Sequence, residues 1–153
     1  MADMMRVRES ARLLVMSPQK RVLLFRFVHT RGPLAGDDYW ATPGGGLEAG
    51  ETFRAAAIRE LKEETGFDAL ILDEPVSTRE FPMQLPDGET VLARERYFVV
   101  NTDSETMVRQ GWTAQEAEVI ADHQWWSHHD LLNATAIVYP EGLTDLLKAT
   151  GHF

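Results

Sequence analysis

Three glutamates, Glu60, Glu63 and Glu64, fall within six residues of one another in the run Arg59-Glu60-Leu61-Lys62-Glu63-Glu64. On a helix advancing 100° per residue their side chains share an arc of about 100°. Carboxylates so placed repel one another unless protons or cations sit between them. Oxygen ligands in that number, with no His or Cys beside them, suit Mg²⁺ or Mn²⁺ better than zinc. Just upstream, Gly44-Gly45-Gly46 lets the backbone approach a ligand closely and frees backbone groups for it. A metal-bearing helix beside a glycine loop is a suitable place for a diphosphate. The ordinary alternative for such a run is a solvated acidic helix face.

The elements that must position these residues follow from local pattern. Thr52 is a fitting N-cap, the alanines after it propagate a helix, and Gly66 suits the left-handed position that ends one, so a helix is expected from Thr52 to Thr65. Ile58 and Leu61 are expected to anchor it to a sheet. Strands are expected at 11–16 and 20–28, joined by a turn at Pro18, with a short extended piece over 39–43 leading into the glycines. More strand is expected over 69–78, 79–85 and 90–100, the last two joined by the hairpin signal Pro86-Asp87-Gly88-Glu89. A turn of helix is expected around 113–123, then a strand at 123–127, a short helix opened by Ser127 or His128, and an amphipathic helix over 140–150. Strands with one strong central helix and others late describe a mixed α/β domain rather than repeated βαβ units.

The spacing is more specific than the acidic run alone. Gly45, five residues, Glu51, seven residues, then Arg59-Glu60-Leu61-Lys62-Glu63-Glu64-Thr65-Gly66-Phe67 resembles the complete Nudix box of the Nudix hydrolase family, MutT-like enzymes among them. Trp40, Pro43, Gly44 and Gly45 resemble the family's lead-in, and Trp125-Trp126 its late Trp-containing strand. The resemblance implies an α/β/α sandwich with a mixed β-sheet and a loop–helix–loop catalytic element. It implies hydrolysis of a diphosphate linkage in a nucleoside diphosphate joined to another moiety, with Mg²⁺ as cofactor and Mn²⁺ as a substitute. Carried over, Glu60, Glu63 and Glu64 are metal ligands with the Gly44 carbonyl a candidate addition. Arg59 orients the glutamates, while Glu51 and Gly66 are structural, Glu51 as a partner for Arg59. The general base is Glu60 first, or a glutamate on a later loop, for which Glu116 and Glu118 are the candidates. A small nucleotide pyrophosphohydrolase of the nucleoside triphosphate type is expected. Pro82, sixteen residues beyond Gly66, keeps an ADP-ribose or nucleotide-sugar pyrophosphatase as the alternative. A non-catalytic nucleotide-sensing module is a third reading that the intact glutamates disfavour. An isoprenyl diphosphate isomerase on the same fold would want a catalytic cysteine, and there is none.

Composition sets the frame. A chain of 153 residues fits a single domain over 1–153 with a sizeable core. The absence of cysteine excludes disulfides and thiolate metal sites, and the start MADMMRVRES has no apolar signal region, so a cytoplasmic protein is expected. No apolar run is long enough to span a bilayer. A formal net charge of −9 argues against broad nucleic-acid binding but allows a small phosphorylated partner met by a metal or a local basic cluster. Homodimerisation is left open. Substrate-binding candidates are Arg26 and Arg79, which sit in expected strands, together with Trp40 and Gly45 beside the glycines; Arg94, Arg96 and Tyr39 are weaker ones. The default for these arginines is a structural ion pair, and for the aromatics core packing. His123, His128 and His129 lack zinc-ligand spacing.

Overall fold

Strand β1, Val7–Met16, is the hub. The computed structural model describes residues 5–69, 71, 74–108 and 111–153, and within them β1 touches three other strands. It turns into β2, Val22–Val28, through a hairpin closed at Met16↔Val22. Along its full length it pairs in parallel with β6, Thr90–Asn101. At its start it pairs antiparallel with β4, the three glycines Gly44–Gly46. β5, Ser77–Gln84, is the outer antiparallel neighbour of β6. On the other flank, β2 carries β3, Asp38–Ala41, and β7, Ile120–Trp126, while β8, Val138–Tyr139, adds in parallel to β3. The sheet is therefore mixed.

Helices cover both faces, which is why the end of β1, Leu13–Met16, is an unbroken apolar run. Ala11, Leu13 and Val15 pack with Leu23 and Phe25 against Ala56, Ala57 and Leu61 of α1, Phe53–Thr65. Leu14 and Met16 point the other way, into a second cluster with Trp40, Trp126 and α4, Leu143–Ala149, through Leu143 and Leu147. Two short helices complete the chain, α2 at Ala114–Val119 and α3 at His128–Leu132, each opened by a capping box. The result is an α/β/α sandwich.

The helix that carries the acidic run has the expected ends. Thr52 Oγ1 accepts from Ala55 N at 3.0 Å, and Gly66, at φ 78°, donates its N–H to Lys62 O at 2.9 Å. The anchoring face differs from the sequence reading: Leu61 is 1% exposed, but Ile58 is 37% exposed. Ala57, one turn before Leu61, takes the inner position, because the buried arc is centred on the side of Glu60 and Glu64 rather than on the side of Ile58. The glycines also differ, forming a paired strand rather than a loop. Strand β7 begins three residues earlier than expected, directly from α2, and β8 carries no sequence signal in two residues. Of the strand expected over 69–78, positions 70, 72 and 73 lie outside the described residues; pairing begins at Ser77.

Gly66 is required twice over. Its backbone is left-handed, and an added Cβ would stand 2.0 Å from Val108 Cγ2. Gly66→Ala is therefore expected to lower unfolding stability by at least ~1–2 kcal/mol, measurable by urea denaturation. A wild-type midpoint would show that this end of α1 is not held as described.

Candidate active site

Burial grades across the acidic face of α1. Glu64 is 2% exposed, Glu60 7%, and the Glu63 side chain 40%. The order follows helical geometry, since Glu64 is nearest the apolar arc and Glu63 farthest from it. Two glutamates are thus driven inward by the helix that carries them, and their surroundings are built to receive them. Glu64 Oε1 accepts the Gly44 N–H at 2.7 Å. Glu60 lies against Gly45 so closely that a Cβ there would stand 2.5 Å from its Oε1. The glycine strand therefore lets carboxylates reach the sheet itself.

Arg59 binds the element together. Its Nε and Nη2 grip both oxygens of Glu51 at 2.7 and 2.8 Å, a bidentate pair, and Nη2 also donates to Gly46 O at 3.0 Å. Nη1 donates to Glu60 at 2.9 Å and Glu63 at 3.2 Å. One guanidinium thereby ties the loop before the helix, the glycine strand and two carboxylates. The Arg59 fork holds the Glu51 carboxyl down at about 2.

A third carboxylate, half-buried, comes from far along the chain. Glu116 opens α2 in a capping box: its N–H donates to Thr113 Oγ1 at 3.1 Å and its Oε1 accepts from Thr113 N at 2.9 Å. The segment before α2 is docked on the C-terminal end of α1. Trp112 Nε1 donates to Glu64 O at 2.7 Å and Val108 N to Thr65 O at 2.9 Å, while Gly111 lies so close that a Cβ would be 2.4 Å from Glu63 O. Farther back, Glu105 pairs with Arg21 and accepts from Ser17 Oγ at 2.7 Å, and its carbonyl accepts from Trp125 Nε1 at 3.0 Å. These contacts deliver Glu116 to α1.

Glu60, Glu64 and Glu116 offer one oxygen each, all within 4.8 Å of one another. Burial first, then a carboxyl–carboxyl hydrogen bond with Glu116 and the charge of Glu60, push the Glu64 carboxyl well above its usual range. Burial likewise raises Glu60, against the pull of Arg59. Carboxyls that resist ionising together are a site for a positive charge, and an all-oxygen donor set fits a hard divalent cation.

The other sequence candidates fall elsewhere. Glu63 lies outside this group of three, half-exposed beside Arg59. Glu118 pairs with Arg31. Arg26 pairs with Asp38 at 2.6 Å on an exposed edge. Trp40 is in the core with Trp126, ring centroids 5.2 Å apart, on the sheet face away from α1; its neighbours there are apolar, and the structure does not bring it to the carboxylates. Arg79 donates to Glu141 O at 3.4 Å and Arg94 pairs with Glu80. Arg96 lies over the Phe53 ring at 4.2 Å, and Tyr39 stacks on Phe27. Gly44 meets the group through its N–H in this structure. Sequence reading passed over Trp112 and Thr113, although Thr113-x-x-Glu116 is a capping-box signature. It also passed over Arg8 and Arg12. Arg12 makes an ion pair with Glu95 at 2.8 Å, and Tyr97 donates to that carboxylate at 2.9 Å.

A sandwich with a carboxylate-bearing loop–helix–loop gripped by one arginine is the arrangement that the sequence resemblance implies. A family model described as "NUDIX domain" matches residues 6–146, and the chain belongs to that family. It is 32% identical over 95 residues to the Nudix hydrolase YvcI of Bacillus subtilis, covering 62% of this chain and 55% of that one. It is 50% identical over 42 residues to Nudix hydrolase 10 of Arabidopsis thaliana, covering 28% and 15%. The chain thus matches about half or less of these relatives' lengths. Among solved structures, a MutT protein from Methanosarcina mazei superposes with TM-score 0.68 at 17% identity, covering 96% of this chain and 94% of that one. The ORF135 protein of E. coli gives 0.66 at 20%, covering 96% and 92%. The Nudix domain of Shewanella oneidensis NrtR, solved with ADP-ribose, gives 0.63 at 19%, covering 95% and 88%. These likenesses show the fold.

The raised Glu64 carboxyl has a consequence for stability. Folded-state Glu64 lies above its ordinary 4.5, so the folded protein holds a proton that the unfolded chain releases. Without metal, stability therefore falls as pH rises from that ordinary value toward the raised one. Glu64→Gln is expected to flatten this slope and to raise the unfolding temperature of the metal-free protein at pH 8, while losing stabilisation by added Mg²⁺. Thermal unfolding across pH, with and without Mg²⁺, checks both effects.

Proposed function

We propose that this protein is a divalent-metal-dependent hydrolase that cleaves the diphosphate linkage of a nucleoside diphosphate joined to another moiety. The observation that carries the reading is the convergence of Glu60, Glu64 and Glu116 within 4.8 Å beside a strand made only of glycine. Mg²⁺ is the cofactor proposed, held by these three carboxylates; when bound it supplies charge neutralisation for the diphosphate and acidifies water. The remaining chemistry belongs to the chain. Arg59 fixes the rotamers of Glu60 and Glu63, so no side-chain freedom is lost when substrate arrives. Glu63, exposed at the rim and outside the group of three, is free to act as the proton acceptor for an attacking water or as a further ligand. Docked against α1, Trp112 keeps the Glu116 helix in reach.

The proposed substrates are nucleoside triphosphates first. ADP-ribose is the second reading, favoured by the fold shared with the NrtR Nudix domain that was solved with that ligand. Turnover separates both from a nucleotide-sensing module, which would bind and not cleave.

With Mg²⁺ and a nucleotide panel, Glu60→Gln and Glu116→Gln are each expected to lower kcat/KM at least ~100-fold. Glu118→Gln, which disturbs only the pair with Arg31, should stay within about twofold. Equal activity of the Glu116 variant and wild type would remove α2 from the site.

A further inference from the structure

The two faces of β1 differ in charge. Ala11, Leu13 and Val15 face α1, while Arg8, Ser10 and Arg12 continue the face of Leu14 and Met16, away from α1. The register carries that second face across two more strands. Ser10 pairs with Glu95 and Glu95 with Arg79, while Arg12 pairs with Tyr97 and Tyr97 with Ser77. Glu95 and Tyr97 form a floor, 4% and 2% exposed, with Arg8, Ser77 and Arg79 as a half-buried rim.

Three guanidinium groups meet one carboxylate here. Both oxygens of Glu95 are taken: Arg12 Nε donates to Oε2 at 2.8 Å and Tyr97 OH to Oε1 at 2.9 Å. Arg8 Nη1 donates to Ser10 Oγ at 3.0 Å, about one strand spacing of 4.8 Å from Glu95. Arg79 stands opposite Glu95, yet donates to the Glu141 carbonyl at 3.4 Å. Neither Arg8 nor Arg79 has a carboxylate within 4.0 Å among the described residues. Burial first, then the charge of Arg12, hold Arg8 below its usual range, although Glu95 and Glu60 both favour its ionised form. Burial, then Glu95, push the Tyr97 phenol up against the pull of Arg12 and Arg79, so it stays a neutral donor. Three positive charges against one negative leave this half-buried face two counter-charges short.

We propose that this face is a binding site for a small dianion, free phosphate or the phosphoryl group of a phosphomonoester, separate from the carboxylate group on the other face of the sheet. A phosphoryl group carries about −1.5 to −2 charge at neutral pH and offers three acceptor oxygens, which matches the excess. Arg8 and Arg79 supply planar forks from two sides of the row, while Arg12 stays with Glu95. A monocarboxylate brings half that charge and two oxygens. An extended polyanion such as nucleic acid is opposed by the net charge of −9.

The test is calorimetric titration of the metal-free protein with inorganic phosphate and, separately, with AMP, against chloride at matched ionic strength. Wild type is expected to bind one or both saturably, one ligand per chain. Arg8→Gln and Arg79→Gln, folded as judged by circular dichroism, are each expected to weaken that binding fivefold or more. Neither change unpairs a carboxylate, since Glu95 keeps Arg12 and Tyr97. Arg26→Gln, which removes an exposed positive charge elsewhere, is expected to stay within twofold. Saturation by phosphate shows that the free ion suffices, and saturation by AMP alone makes a phosphomonoester the ligand. Both arginine variants within twofold of wild type, or no saturable binding of either ligand by wild type, overturn the site. No metal and no turnover enter the measurement, so its failure is distinct from failure of the hydrolase reading.

Discussion

Glu64 is held in the interior beside a second buried carboxyl, Glu60, with the half-buried Glu116 close by. Most of what is particular in this structure follows from that constraint. Taking ionised carboxylates out of water is costly unless protons or cations meet them. The fold tolerates the arrangement by supplying a backbone N–H from Gly44 and a guanidinium from Arg59, neither of which cancels the charge in full. The residual demand for positive charge is what suits the place to a cation. Stability and function are opposed here, as expected where a site is preorganised for a ligand.

Holding that opposition in place takes connections across the whole chain. Arg59 links α1 to the loop at Glu51 and to β4. Strand β4 is fastened to β1 by pairing, and β1 to β6 along ten residues. Glu105 holds the hairpin end at Arg21, and Val108, Gly111 and Trp112 rest on the C-terminal end of α1. Each tie is short-ranged, yet together they bring Glu116 beside Glu60 and Glu64, more than fifty residues earlier in sequence. The rear of the glycine strand is lined by cations, Arg8 and the Arg12–Glu95 pair, so the carboxylates and the arginines face one another across a single backbone.

The helix, its caps and its acidic face were legible in sequence because they depend on neighbours within four residues: Thr52, Gly66 and the spacing of the glutamates suffice. The α/β/α layering and the Arg59–Glu51 partnership followed from the family resemblance. Which glutamates converge was not legible, since it depends on burial grading around α1 and on tertiary docking of α2. Sequence put Glu63 with Glu60 and Glu64 by angle; the sheet surface makes Glu63 the outermost of the three. Glu116 and Glu118 were equivalent by spacing, and only the capping box at Thr113 and the surface pair with Arg31 separate them. Arg26 was a candidate as a cation in an apolar strand and Trp40 as a neighbour of the glycines, but β3 turns Trp40 to the far face and leaves Arg26 to Asp38. Arg8 carried no local signal, because its isolation is visible only once every neighbouring charge has found a partner.

The central claim is that Glu60, Glu64 and Glu116 form the divalent-cation site. Mn²⁺ soaked into crystals of the wild-type protein, located by its anomalous scattering, tests it most directly. The account predicts a peak within about 2.5 Å of carboxylate oxygens from all three residues. Mn²⁺ bound by Glu63 and solvent alone, with no contact to Glu64 or Glu116, would contradict it.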